Sequence, residues 1–199
     1  MKTKRLLLFY LSTMLVLFLW GLVFPQNFTS LLKAPQFYVT AKFFHILCVT
    51  LFFGNAVIGM LWETRSLLSG KPEIVRFTYQ TVVWMDAVFT APLIIISVVS
   101  GIMLGTILGG VWTIGWISLA FILFFVSGAV WILADIPTQY KINQLFQNVE
   151  IGTESLPSRL TRLLWYRLGI SICGTLPLLT IFFLMVHKPE ITPVAKWFR

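Results

Sequence analysis

The sequence predicts an all-α membrane protein, a bundle of five transmembrane helices built as a four-helix core plus an N-terminal helix. Three observations predict it. Of 199 residues, 58% are apolar and 11% charged, with a mean hydropathy of +0.88. An average soluble domain is about 25% charged, so this chain cannot clothe its apolar surface in water. Runs free of Asp, Glu, Lys and Arg cover Leu6–Leu32, Phe43–Trp62, Ala87–Ala134 and Leu168–His187, and about 20 apolar residues make one bilayer crossing. Finally, Trp20, Trp62, Trp84, Trp112, Trp116, Trp131 and Trp165 lie near the ends of the spans drawn below, where amphipathic rings favour the headgroup region. This composition excludes a soluble enzyme, a disordered tail, a disulfide-stapled secreted module and a nucleic-acid binder, and the basic residues behind the net charge of +8 sit in loops and at helix ends and so do not point to nucleic acid.

The elements follow in order. The first span, Leu6–Phe24, begins after Lys2, Lys4 and Arg5. It is longer than a signal-peptide core and lacks a small-x-small cleavage site, so it reads as a retained helix. The second span is Phe43–Trp62. The run Ala87–Ala134 would reach about 72 Å as one helix at 1.5 Å per residue, so it must fold back. Glycines collect at Gly105–Gly110, which sets the third span at Val83–Leu104 and the fourth at Thr113–Ala134. The fifth is Leu164–Val186.

Between spans, Glu63–Thr81 holds the turn signal Gly70-Lys71-Pro72. The segment 136–162 reads as cytoplasmic: its part Thr138–Glu150 carries Tyr140, Ile142, Leu145, Phe146 and Val149 at helical spacing, suited to lying along the interface. Pro157 marks a helix start leading into the last span. No repeat or linker divides the chain, so residues 1–199 read as a single transmembrane domain.

With the N-terminus inside, Lys2, Lys4, Arg5, Arg65, Lys71, Arg76, Lys141, Arg159, Arg162 and Arg167 are cytoplasmic, against Lys33, Lys42, Lys188, Lys196 and Arg199 outside. This bias favours a multi-pass protein with a cytoplasmic N-terminus and an extracytoplasmic C-terminus.

Polar groups within the spans are the natural place to seek chemistry. At 100° per residue, His45, Cys48, Phe52, Asn55, Gly59 and Glu63 fall within an arc of about 80°, a face that looks into the bundle. Asn55 and Gly59 on such a face either pack against neighbouring helices or line a site. His45 reads either as an axial haem ligand, a metal ligand or a proton carrier, or as an interfacial histidine bonded to a carbonyl. His187 falls at the same depth, so joint ligation of one haem is within reach of the topology, although its Lys188-Pro189 flank suits an ordinary span end. His45-x-x-Cys48 puts two donors on adjacent turns, where a metal site needs three or four, and no metal site is assigned. Cys48 and Cys173 differ in depth by about 10 Å at 1.5 Å per residue, too far for a disulfide.

Ser97, Gly101 and Gly105 form a small-residue stripe that another helix can approach closely, and Pro92 bends the same span. Glu63, Asp86 and Asp135 lie at cytoplasmic span ends near Arg65, Arg76 and Lys141, which reads as interfacial charge pairing or, more sharply, as a proton-transfer cluster.

The pieces Ala41-Lys42-Phe43-Phe44-His45, Leu51-Phe52-Phe53-Gly54-Asn55, Trp62-Glu63, Asp86-x-x-Phe89-Thr90-x-Pro92, Ser100-Gly101, Gly115-Trp116, Trp131, Ile136-Pro137-x-Gln139 and Trp165 resemble the pattern of a bacterial integral-membrane family, domain-of-unknown-function family 2269. The resemblance runs from about Thr40 to Val186 and implies a four-helix membrane core without an established activity. The helix with Lys42-x-x-His45 is also similar, more loosely, to copper-resistance D-type membrane proteins and to haem-containing membrane protoporphyrinogen oxidases. The latter similarity implies His45 as a haem ligand, although the further intraspan histidines of those proteins are lacking here.

The expected function is that of an integral membrane protein without an assigned reaction, an accessory or small-molecule transport component. The alternative is a b-type haem redox protein with His45 as axial ligand, and copper transport is third. Its partners are the lipid bilayer and a second copy or a membrane subunit, with no nucleic acid.

Overall fold

In the computed structural model, residues 9, 12–13, 15–16, 19–20, 23–24, 35–149 and 153–197 are described. The expected first span, Leu6–Phe24, therefore lies largely outside the described residues. Among those residues four helices are long and apolar enough to cross a membrane: α1 (Pro35–Ser69), α2 (Pro72–Ile107), α3 (Gly115–Gln147) and α4 (Ser158–His187). No strand occurs among them. The chain is a multi-pass integral membrane protein whose helices meet the lipid bilayer.

The breaks sit where glycine relieves the backbone. Gly70 adopts φ +67° between α1 and α2, and Gly109 and Gly110 adopt φ +118° and +119° between α2 and α3. Only a residue without Cβ takes these conformations at little cost. The helices run alternately up and down. α1 pairs along its length with α2, α3 pairs with α4, and α1 also touches α4. α2 and α3 approach through side chains, with Phe121 and Phe124 packed against the buried pair Val98 and Ile102 at one end and Tyr79 against Phe146 at the other. Phe43, Phe44, Leu47 and Leu51 of α1 and Leu176, Leu179 and Phe183 of α4 are exposed, as lipid-facing positions should be.

The helices run well past the expected span ends. Thr138–Glu150, expected along the interface, instead continues α3 as far as Gln147, and much of Glu63–Thr81 is helix in α1 and α2. The cause is packing. Val75, Tyr79, Ile142, Phe146, Leu160 and Leu164 bury one another in a core beyond the apolar spans, and burial against protein satisfies the same apolar positions that would otherwise seek the headgroup layer. Arg76 donates to the Phe146 carbonyl and, at 3.4 Å, to that of Val149, which closes the end of α3.

Two prolines shape the interior. A proline has no N–H to donate and its ring clashes with the carbonyl four residues back. Here the helix widens before each one. Asp86–Thr90 is a π turn ahead of Pro92, and Trp131–Asp135 is a π turn ahead of Pro137. The Ala91 N–H reaches Asp86 O and the Ile136 N–H reaches Trp131 O, five residues back in each case. Such bulges keep a helix continuous while changing where its side chains point.

A buried ion cluster and two cavities

Arg167 of α4 is 2% exposed and gathers three carboxylates from three other helices. It bonds Glu63 of α1, its Nε lies 3.0 Å from Asp135 of α3, and its terminal nitrogen lies 3.7 Å from Asp86 of α2. The Tyr79 ring packs against the guanidinium, 5.1 Å from ring centroid to Cζ. The Tyr79 hydroxyl donates to the Gln139 carbonyl at 3.0 Å, and the Gln139 amide donates to Asp135 at 2.6 Å. Both aspartates sit in the π turns, so the prolines help to aim the carboxylates. The three carboxylates exceed the one guanidinium by two formal negative charges.

This arrangement corrects the expected pairing of Glu63, Asp86 and Asp135 with Arg65, Arg76 and Lys141. By sequence context Arg167 counts among the interfacial cations, since it directly precedes the last charge-free run. One signal was available: Leu160, Leu164 and Arg167 recur at i, i+4 and i+7, so Arg167 shares the buried face of α4.

The face of α1 singled out by its periodicity is the buried one, with Cys48, Phe52, Gly59 and Glu63 all enclosed. Asn55 donates to the Thr90 hydroxyl at 2.8 Å and so ties α1 to the first π turn. A Cβ on Gly59 would meet Val82 at an ordinary 3.5 Å. Cys48 and Cys173 are both free thiols, the first buried and the second exposed.

His45 lies against the small-residue stripe of α2. Its Nδ1 is 2.8 Å from the Ser97 carbonyl and 3.2 Å from Ser100 Oγ. A carbonyl only accepts, so Nδ1 carries the proton and Nε2 holds the lone pair. A Cβ at Gly101 would stand 3.0 Å from His45 Cε1. The stripe thus seats an imidazole at Gly101, where the sequence suggested close approach of a helix. At Gly105 it meets Val111 and Ile117. His187 stacks on Phe183, with Nδ1 at 3.2 Å from the Phe183 carbonyl, and is exposed. Among the described residues no three His, Cys, Asp or Glu side chains gather as metal donors.

Two cavities occupy the bundle. One, of about 170 Å³, is bordered by Glu63, Asp86, Asp135 and Arg167, with Asn55 and Thr90 farther in. The other, of about 380 Å³, is bordered by His45, Lys42, Lys188, Trp116 and Met185. Phe52, Phe124 and Leu178 line both. Three apolar side chains from α1, α3 and α4 therefore form a septum between a cavity with carboxylates and a cavity with lysines. His45 and Glu63, eighteen residues apart on α1, are separated along its axis by about 27 Å at 1.5 Å per residue, so the two cavities together run most of the way through a bilayer core of about 30 Å.

No curated protein and no solved structure matches the chain. A family match does cover most of it: residues 39–189, from the middle of α1's first turns to just beyond α4, fit the family described as predicted integral membrane protein (DUF2269). The chain belongs to that family.

Proposed function

We propose that this protein is a small-molecule transport component, in which the His45 cavity and the Arg167 cavity are two halves of one route closed by Phe52, Phe124 and Leu178. The observation that carries the reading is the shared septum: the same three side chains line both cavities. An apolar constriction between water-accessible halves gates by excluding water. The ion cluster supports the reading too, since buried ionisable groups inside a membrane bundle are costly and mark ion or substrate pathways. In this reading Leu6–Phe24 is a fifth helix, the protein lies in a bacterial inner membrane, the Arg167 end faces the cytoplasm, and Cys48, Asn55 and Gly59 line the face along which the route runs.

The test is efflux of a small neutral solute, glycerol, from proteoliposomes. Phe52→Ala should speed efflux about tenfold or more over wild type, because removing the ring wets the constriction, and Phe52→Trp should slow it. Equal efflux from wild type and Phe52→Ala would overturn the reading.

A second reading is favoured by one specific observation, the Nδ1–H bond from His45 to the Ser97 carbonyl. Metal-ligating histidines usually anchor their second nitrogen in this way, which fixes the tautomer and orients the ring. The residues bordering the cavity would suit haem b: His45 would hold it through Nε2, the apolar walls would enclose it, and Lys42 and Lys188 would meet its acidic groups. When bound, haem supplies one-electron chemistry. A reduced-minus-oxidised spectrum with an α-band that is lost in His45→Ala is the expected result under this reading, and a flat spectrum from folded, haem-supplied protein overturns it. For copper transport, no third His, Cys, Asp or Glu donor joins His45 and Cys48 among the described residues.

A further inference from the structure

We infer that the His45 cavity is a binding site for amphipathic carboxylates of the long-chain fatty-acid type, a site that stands apart from passage through the septum. Three features of the cavity carry the inference. Its charged lining is wholly basic, with Lys42 and Lys188 and neither Asp nor Glu. Among the described residues neither lysine enters an ion pair, although Glu190 is only two residues from Lys188. Lys188 instead lies with its Nζ 5.9 Å from the ring centroid of Trp116, itself part of the lining.

The remaining wall is mostly apolar and aromatic, with Val98, Ile117, Phe121 and Phe182 among its residues. The volume, about 380 Å³, falls within the range of small-molecule sites, which combine such walls with a few placed polar groups. A ligand that satisfies the whole lining therefore has an apolar body and an anionic head. A soluble inorganic anion would leave the apolar wall uncovered, and a neutral lipid would make no contact of opposite charge with Lys42 and Lys188, which are exposed at the cavity's rim.

The backbone holds the basic rim in place. Lys188 occupies the left-handed region at φ 46°, and its N–H bonds the Leu184 carbonyl at 2.9 Å, ending α4. Beyond it the tail folds back so closely on α3 that a Cβ at Gly115 would stand 1.8 Å from the Ile191 carbonyl oxygen. Lys42 projects from the first part of α1, one turn before His45. The Arg167 cavity has the opposite character, with three carboxylates on its border, so an anion is accepted at one end and repelled at the other. The basic residues at the His45 end run against the positive-inside bias of the sequence, and a ligand role gives two of them a reason to be there.

The test is equilibrium binding of cis-parinaric acid and of parinaryl alcohol to full-length protein in phosphatidylcholine nanodiscs, counted above empty nanodiscs. The acid should bind saturably and about tenfold tighter than the alcohol, the difference a charge-assisted contact supplies. Lys42→Gln with Lys188→Gln should abolish that preference while helix content by circular dichroism is kept, and Lys42→Arg with Lys188→Arg should restore it. Equal binding of acid and alcohol by wild type, or a preference that survives both Gln substitutions, overturns the inference. Because the wild-type comparison needs no variant, a misfolded double mutant does not rescue it. Binding at equilibrium is also independent of passage: protein that prefers the acid but shows no septum effect on glycerol efflux contradicts the route and leaves the site standing.

Discussion

Arg167 meets three carboxylates, and these neighbours are unequal. Glu63 and Asp135 bond it directly, while Asp86 stands at 3.7 Å with a side chain 23% exposed. Removing the cation leaves three carboxylates facing one another, so Arg167→Ala should cost about 3–5 kcal/mol, the range for breaking a buried ion pair from one side. Unfolding by SDS titration in mixed micelles measures it. Asp86→Asn should cost no more than about 1 kcal/mol in the same assay, as expected of a longer and partly solvated pair, and a larger loss than that of Asp135→Asn would contradict the geometry. The glycines give a graded series. Gly59→Ala should be neutral within about 0.5 kcal/mol, since its Cβ finds ordinary space. Gly101→Ala should cost about 1–3 kcal/mol by overpacking the His45 ring. Periodicity alone located the inward face of α1, because apolar and polar positions 3.6 residues apart share a face whatever the partner helix is. It did not locate Arg167, because a basic residue ahead of an apolar run has the same sequence context whether it snorkels to the headgroups or pairs inside.

At the scale of elements, the breaks were legible and the continuations were not. Gly70, Gly109 and Gly110 lie where positive φ is needed, and glycine in a loop signal announces that need directly. Asp135-Ile136-Pro137 reads equally as a helix stop, and only packing decides between a stop and a widened turn. Here Tyr79, Phe146 and Leu160 supply that packing, and α3 continues. The C-terminal tail is an element that the sequence left as mere flank. Gly115→Ala should displace it, because no side chain fits against the Ile191 carbonyl. Hydrogen exchange at residues 188–197 should rise about tenfold in that variant, the signature of local opening, and unchanged exchange would show that the tail is held by other contacts.

Across the whole molecule, the exposed apolar faces, the four long helices and the family match agree on a multi-pass integral membrane protein, and composition alone already excluded the soluble classes. What composition could not supply is the division of the interior into a basic half and an acidic half, since that depends on which helices face one another. On the proposed route, Phe52, Phe124 and Leu178 separate two halves open to opposite sides of the membrane. The most direct measurement is labelling by a membrane-impermeant maleimide in a Cys48→Ala, Cys173→Ala background, with Thr50→Cys reporting on the His45 cavity and Ala56→Cys on the Arg167 cavity. Thr50→Cys should react only from the extracytoplasmic side and Ala56→Cys only from the cytoplasmic side. Reaction of both from one side would contradict that route.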